Sequence, residues 1–378
     1  MSEARVNNLS NESNTGGPTI SGITTFSGTN YFVPPVGNTA QRPENPQKGA
    51  IRFNTDSKHL EYFRGDGIGW VEVEASNEEL NGGNRGVLFG GGSPTAADVM
   101  DYHTISTIGS SADFGDLPAA RRNLGCGQCS SRTRGFAICG DVPGPTINDD
   151  ILFFTFASLG SAVDSGFDIG TDRRITTSLS NETRGIVAGG YEPENNVIEY
   201  ISLQSVGVGA DFGDLTAGNR YFGYGSASTT RGLIAGGVIG PVAVNSIEYI
   251  TISTTGDAAD FGDIAVGDGR LLASAANSTR SILASGGQDS YSNVIEYVTI
   301  ATLGNSVDFA DIDGTDRRDG SGTSSPTRAV FSCGYNGSFQ NKQDYVEIMT
   351  LGNSKDFGDA AGSTVFRNGG CSNGHGGL

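Results

Sequence analysis

One phrase occurs six times in this chain at a nearly constant step, and it constrains the fold more than any other feature. It reads Asn84-Arg-Gly-Val-Leu-Phe-Gly-Gly, Thr133-Arg-Gly-Phe-Ala-Ile-Cys-Gly, Thr183-Arg-Gly-Ile-Val-Ala-Gly-Gly, Thr230-Arg-Gly-Leu-Ile-Ala-Gly-Gly, Thr279-Arg-Ser-Ile-Leu-Ala-Ser-Gly and Thr327-Arg-Ala-Val-Phe-Ser-Cys-Gly. Its arginines, at 85, 134, 184, 231, 280 and 328, lie 47 to 50 residues apart. A second phrase, Asp-Phe-Gly/Ala-Asp, keeps the same step from Asp113, Asp211, Asp260, Asp308 and Asp356 and reads as a turn. The second repeat departs from it as Asp164-Ser-Gly-Phe167-Asp168. Between the two phrases lie alternating runs such as Ile247-Glu-Tyr-Ile-Thr-Ile252. Apolar and aromatic residues at every second position read as strands. A further arginine-led segment opens at Arg122, Arg174, Arg220, Arg270, Arg318 and Arg367. No helical period survives across a unit.

Four short strands per repeat of 40–50 residues is the signature of a β-propeller blade. The arginine start, the Gly-Gly ending the second strand and the tyrosine in the third resemble the kelch repeat. The tryptophan usual in the fourth kelch strand is absent, and the phenylalanine of Asp-Phe-Gly-Asp stands in its place. The expected fold is all-β: a six-bladed kelch-like propeller over residues 81–378, preceded by a small β-rich attachment segment over residues 1–80. The first unit lacks a leading strand and the last is followed by a solitary one. Arg85–Asp116 is therefore expected to supply three strands of one blade and Val365–Asn373 the fourth, a closure that leaves no open sheet edge. An intrablade ion pair is expected to fix the turns, with Arg231 facing Asp260 and Arg280 facing Asp308.

Up-and-down strands gather the connections after strands two and four on one face. Those after strand two diverge most, and loops on a rigid scaffold are where binding is usually carried. Tyr191, Tyr291, Tyr335 and Phe339 are the aromatic candidates for receptor contact there.

Composition removes several function classes. With 42 acidic against 24 basic residues the formal charge is −18, which disfavours nucleic-acid binding, because neutralising phosphates needs surplus Lys and Arg. No stretch reaches the ~20 apolar residues of a membrane span, so no membrane insertion is expected. Glycine, at 58 of 378 residues, serves the many tight turns. Cys126 and Cys129 form a lone CxxC without a second pair or a histidine pair at ligand spacing. Carboxylates are plentiful, yet nothing matches an EF-hand loop. No cofactor or metal is expected. His103 has no equivalent in the other repeats, the Asp pairs recur in all of them, and no catalytic constellation emerges.

The N-terminal segment lies outside the repeat. Residues 1–17 are polar, Thr19–Phe26 suggests a strand, and Pro34-Pro35 marks a break. Short strands are expected at 49–54, 59–63 and 69–74. Ile51, Phe53, Leu60, Tyr62 and Trp70 are too few to bury an independent core, so this segment is expected to order against a partner chain or its own copies.

The pattern Thr39-Ala-Gln-Arg-Pro, a spacer, Gly49-Ala-Ile-Arg-Phe-Asn-Thr-Asp56 and a strand ending in Trp70-Val resembles a segment of tailed-bacteriophage fibre, collar and appendage proteins. It departs from that pattern at Phe63-Arg64 and Gly67-Ile-Gly69, which lengthens the turn before Trp70. The Thr-Arg-Gly and Asp-Phe-Gly-Asp repeats are similar to those in virion proteins of phages that infect cyanobacteria. The resemblance implies a virion structural protein, assembled in the host cytoplasm. Its N-terminus would dock to other virion proteins and its propeller would meet a host-surface glycan or protein. A purely architectural virion subunit and a propeller-scaffold glycan-degrading enzyme are the alternatives.

Overall fold

The computed structural model describes residues 33–57, 59–65, 67–73, 83–92, 95–144, 146–266, 269–287, 291–314, 316–361 and 366–378. The leader 1–17, the strand expected near Thr19, and Val365 lie outside them. The chain divides into two units, Met1–Ser76 and Asn77–Leu378. Among the described residues it is all-β apart from one 3₁₀ turn, Thr39–Gln41.

In the first unit Val36–Gly37, Ile51–Asn54, His59–Phe63 and Trp70–Val73 form one four-stranded sheet in that order. Its polar face is the buried one. Glu61 is fully buried, takes an ion pair from Arg42 at 2.6 Å, lies 3.5 Å from Arg52 and accepts from the Asn54 amide. Hydrogen bonds from Arg42, foremost, hold the Glu61 carboxyl below its usual range. Asn38 caps the 3₁₀ turn, and Asp56 accepts from the Thr39 amide. The Thr-Ala-Gln-Arg-Pro and Ile-Arg-Phe-Asn-Thr-Asp phrases thus converge on one carboxylate. Side chains alternate across a strand, so Ile51, Phe53, Leu60 and Tyr62 share the opposite face. Ile51 is 52% exposed there and Val73 42%.

The second unit consists of small antiparallel sheets. One is Gly369–Ser372, Arg85–Phe89, Ala97–Thr104 and Ala112–Arg121, in that spatial order. The strand near the end of the sequence therefore sits beside the first of the repeat, with Cys371 opposite Val87. We call this sheet I. Sheet II holds Arg134–Ile138, Asp150–Thr155 and Val163–Asp168, with Ser130 bridging to Gly135 at its inner side. Sheets III to VI each have four strands in chain order, beginning at Thr177, Tyr224, Leu271 and Ser321. First strands of consecutive sheets lie side by side from III to VI, and that of VI lies beside Gly369–Ser372. Ser130 links the two remaining neighbours: its hydroxyl donates to the Ser372 carbonyl and its amide to the Ser180 hydroxyl. Small residues here let backbones approach, and serine hydroxyls satisfy the carbonyls. Gln128 donates to the Ser324 hydroxyl and accepts from that of Ser372.

The recurring phrases now acquire physical meaning. Asp-Phe-Gly-Asp is part of a strand rather than a turn, and it carries a β-bulge. In sheet IV, Ile247 pairs with Gly262 and Glu248 with Asp260, leaving Phe261 as the extra residue. A bulge re-aims side chains. Phe261 turns inward to 2% exposure and packs edge-on against Tyr249, with centroids 6.2 Å apart. Phe212, Phe309 and Phe357 repeat this against Tyr200, Tyr297 and Tyr345. The following glycine permits a close approach: a Cβ on Gly213 would lie 2.5 Å from the carbonyl carbon of Gly256. In the second repeat the departure has a cost, since Phe167 stays 40% exposed.

The Thr-Arg arginines do not pair with the Asp-Phe aspartates. Arg231 sits opposite Thr251, whereas Asp260 sits across from Glu248 three positions along and one strand further out, exposed to solvent. Arg280 and Asp308 are separated in the same way. Each arginine instead stacks on a third-strand aromatic ring, Arg231 at 4.6 Å from Tyr249 and Arg280 at 4.1 Å from Tyr297. Each also donates to a carbonyl of the next sheet: Arg184 to Ile252, Arg231 to Ile300 and Arg280 to Ile348. Arg85 donates to Phe156 and Arg134 to Gln204, and Arg328 returns the series to Ile105 of sheet I.

Among the phrase arginines Arg328 pairs with Glu347 of its own sheet at 2.8 Å, and the buried ion pairs use other residues. A fully buried arginine preceding the first strand meets a third-strand carboxylate in four of the sheets. The pairs are Arg121–Asp150, Arg173–Glu199, Arg220–Glu248 and Arg317–Asp344. Burial pulls the pKa of Arg220 down against the pull of Glu248 and pushes that of Asp344 up against the pull of Arg317.

Two outcomes follow. Removing residues 364–378 strips Gly369–Ser372 from Arg85–Phe89, and the melting temperature should fall by at least roughly 5 °C; an unchanged value would contradict this pairing. Removing one partner of a buried pair strands a charge, at about 3–5 kcal/mol, whereas an apolar pair of similar volume is often neutral. Glu248 keeps bonds from Thr216 and Ala217, so Arg220→Ala should lie at the lower end of that range in urea unfolding. R220M/E248L should recover most of the loss.

Candidate functional site

The divergent connections after each second strand meet the entries to the first strands at one end of the second unit. A single backbone bridge recurs there: Arg122 to Asp141, Arg174 to Tyr191, Tyr221 to Val238, Arg318 to Tyr335 and Gly92 to Phe366. These bridges bring the sequence-selected aromatics beside arginines. Tyr191 packs against Tyr221 at 4.8 Å and beneath Arg174 at 5.5 Å. Tyr335 and Phe339 pack on each other and both on Phe366. Tyr291, 36% exposed, lies under Arg318.

Sequence reading missed the polar layer beneath them. Asp319 accepts two bonds from Arg270, at 3.0 and 2.7 Å, and lies 3.5 Å from Arg367 Nε. Arg367 donates to Asn123, which donates to Asp141. Asp141 also receives Arg122 at 3.0 Å and lies 3.5 Å from Arg174. Arg270 and Arg367 stack over Phe222 at 4.3 and 5.0 Å. The doubled arginines Arg121-Arg122, Arg173-Arg174 and Arg317-Arg318 were the available signal. The first of each pair enters the sheet interior and the second stays at this end.

Other chemistry-bearing residues are accounted for by packing. His103 is buried, accepts from Gln343 at Nδ1 and so donates from Nε2 to Thr323, and burial lowers its pKa to about 4. All five cysteines are free. Burial pushes the Cys126, Cys129 and Cys139 thiols up to about 12, so they are protonated and unreactive at neutral pH.

Sheet II carries an acidic cluster. Asp149, Asp150 and Asp168 bring carboxylate oxygens within 4.8 Å of one another. Arg121 and the Asn148 amide offset the charge of Asp150. For Asp149 burial, foremost, and the charges of Asp168 and Asp172 push the pKa up to about 6, against a hydrogen bond from its own backbone amide.

No family model matches this sequence, and no curated protein matches it.

Asp149 yields a pH prediction. Its folded pKa lies above the unfolded value, so the ionised form destabilises the native state above about pH 6. That penalty is relieved as pH falls through the folded pKa and is gone below the unfolded one, about 4. Asp149→Asn should raise the melting temperature at pH 7.5, and its advantage over wild type should vanish near pH 4. An advantage independent of pH would refute this assignment.

Proposed function

We propose that this chain is a structural protein of a tailed-bacteriophage particle. The second unit is a six-bladed β-propeller closed by a three-plus-one blade. It is displayed for host-surface adhesion and carried by the N-terminal unit. The observation that carries the reading is the convergence of the phage-like phrase on Glu61. That phrase resembles segments of phage appendage proteins, and its residues Arg42, Arg52 and Asn54 meet Glu61 on the buried side of a sheet, with Thr39 and Asp56 at the rim; the apolar side of that sheet stays half-open. Such a face suits a partner chain, and Ile51, Phe53, Leu60 and Tyr62 are the docking residues. Trp70 belongs to the other face, where it packs on Phe63 at 5.5 Å and acts by holding the sheet.

Ring closure is supported by the series of arginine-to-carbonyl bonds that ends where it begins, and by the pairing of Gly369–Ser372 with Arg85–Phe89. A closed ring leaves only the short edges of its outermost strands for assembly, so attachment falls to the first unit. Adhesion falls to the propeller, whose aromatic loop residues Tyr191, Tyr291, Tyr335 and Phe339 lie at a single end.

The test is incorporation. Particles of the encoding phage should contain the full chain, and a version lacking residues 1–76 should be lost from them while its propeller remains folded by circular dichroism. Normal incorporation of the shortened chain, or a particle in which the propeller makes the main attachment, would overturn the docking role.

A further inference from the structure

Four sheets place a guanidinium at one internal position. Besides meeting the third-strand carboxylate, each arginine donates there to backbone carbonyls: Arg220 to those of Ile234 and Ser246, Arg317 to those of Phe331 and Cys333, Arg173 to that of Val197 and Arg121 to that of Cys139. Ladder register finds the same place in sheet I. Ile234 faces Glu248, Phe331 faces Asp344 and Leu88 faces Asp101. The carbonyls of Ile234 and Phe331 therefore correspond to that of Leu88, that of Ser246 to that of Val99, and that of Cys333 to that of Gly90. The sequence supplies no arginine at this position of sheet I. Phe366 bridges to Gly92 as Arg318 bridges to Tyr335, so the sequence position of Arg317 falls to Val365.

A cavity of about 10 Å³ lies at that place, lined by Leu88, Gly90, Val99 and Asp101 of sheet I, by Asn368 and by Cys333 of sheet VI. Its walls are rich in oxygen. The Asn368 side chain is 3% exposed; its Nδ2 donates to the Ser321 hydroxyl and, at 3.5 Å, to the Gly369 carbonyl, and its Oδ1 is buried without a protein partner. A carbonyl only accepts, so the nitrogen belongs on that side and the oxygen is left for the cavity. A buried acceptor in this state is costly. The Val99 carbonyl accepts from the Gly90 amide as that of Ser246 does from Gly236, which leaves for a guest the lone pair that Arg220 takes in sheet IV. Hydrogen bonds to the carboxylate do not displace a cation at this position: Glu248 accepts from Thr216 and Ala217 at Oε1 and still meets Arg220 through Oε2. Sheet V, with Gly269 at the arginine position, answers Glu296 with the Ala265 and Val266 amides and the Ser306 hydroxyl. The matching serine of sheet I, Ser111, donates to Gln343.

We propose that this cavity binds a dehydrated monovalent cation of the size of potassium, held by the Asp101 carboxylate, Asn368 Oδ1 and the carbonyls that serve a guanidinium in the sister sheets. Those sheets set the charge, one positive group against one carboxylate. The volume admits a single guest the size of a water molecule, which potassium matches. Magnesium keeps several waters, for which there is no room, and calcium takes about six to eight oxygens. Backbone oxygens in place of a hydration shell suit potassium. A water donates to the same oxygens but brings no charge. The ligands come from both ends of the repeat region, so the ion ties the entry of Gly369–Ser372 to Arg85–Phe89 and Ala97–Thr104.

The test melts the purified full chain at constant ionic strength, with tetramethylammonium chloride exchanged for potassium, sodium or calcium chloride. Potassium at about 100 mM should raise the melting temperature by roughly 3 °C, and sodium by clearly less. Asp101→Asn should abolish the potassium increment and Asn368→Ala should reduce it. Val365→Arg supplies the residue of the sister sheets. In tetramethylammonium it should reach the stability that wild type reaches in potassium, and potassium should add nothing further. Crystals grown in rubidium chloride should show anomalous density between Asp101 and Asn368. Water density alone at that point, or equal melting in potassium and tetramethylammonium, overturns the cation. Greater stabilisation by calcium or sodium overturns the assignment to potassium. A full potassium increment in Asp101→Asn overturns the site. Where Asp101→Asn fails to fold, the rubidium density and Val365→Arg decide.

Discussion

The interaction on which the second unit most depends is a guanidinium buried against a carboxylate, repeated in four sheets. Arg121, Arg173, Arg220 and Arg317 are among the largest fully buried side chains. Such a pair contributes little net stability, because desolvating both ions offsets their attraction. What it contributes is position. The arginine reaches the carboxylate only if the entry to the first strand crosses the sheet top at one height. The pair therefore sets the register between the innermost strand and the third. In sheet III the Gly170 amide, from beyond the previous sheet's last strand, also donates to Glu199, and in sheet IV those of Thr216 and Ala217 donate to Glu248. One carboxylate thus fixes a sheet internally and against its neighbour.

A second device works toward the other end of each sheet. Arginine, tyrosine and bulged phenylalanine form a short stack, as in Arg231, Tyr249 and Phe261. The stack packs the outer half of a sheet, while the guanidinium edge donates to the following sheet. Cation–π contact and hydrogen bond use different parts of the same group, the face and the rim. This explains why arginine rather than lysine starts the phrase. A lysine would supply the charge but not the fork.

Much of this was legible in the repeat. Its spacing, alternation and Gly-Gly endings mark the strands, and the unequal ends of the array mark the pairing of Gly369–Ser372 with Arg85–Phe89. The identity of the ion pairs was not legible. Asp260 and Asp308 are prominent in sequence because the bulge needs an exposed polar residue before phenylalanine. The pairing acid, Glu248, is hidden in an ordinary alternating strand, where nothing in the local pattern marks it as the buried partner of Arg220. The end that carries the divergent loops was half legible. Tyr191, Tyr291, Tyr335 and Phe339 stood out as aromatics in divergent loops, but Arg270, Asp319 and Arg367 belong to different repeats and converge only through the first-strand entries. Asp319 and Arg367 also occupy left-handed backbone positions, with φ of 59° and 55°. No period in the sequence announces such a conformation for these residue types.

The two ends of the repeat region have been given different tasks by the same constraint. The end that carries the Thr-Arg turns is uniform because every turn must present its arginine to the next sheet. Little can vary there without breaking the series from Arg85 to Arg328. Residues 373–378 add to that end: the Gly376 amide donates to the carbonyl of Ala276, and His375 lies buried beside Ser180. Its histidine is kept neutral by burial, with a pKa lowered to about 4. The opposite end bears no such duty beyond the first-strand arginine. Its loops can differ in length and composition while the buried ion pairs below hold their anchor points. Sequence freedom and the loop aromatics therefore coincide at one end because the other end carries the linkage between sheets.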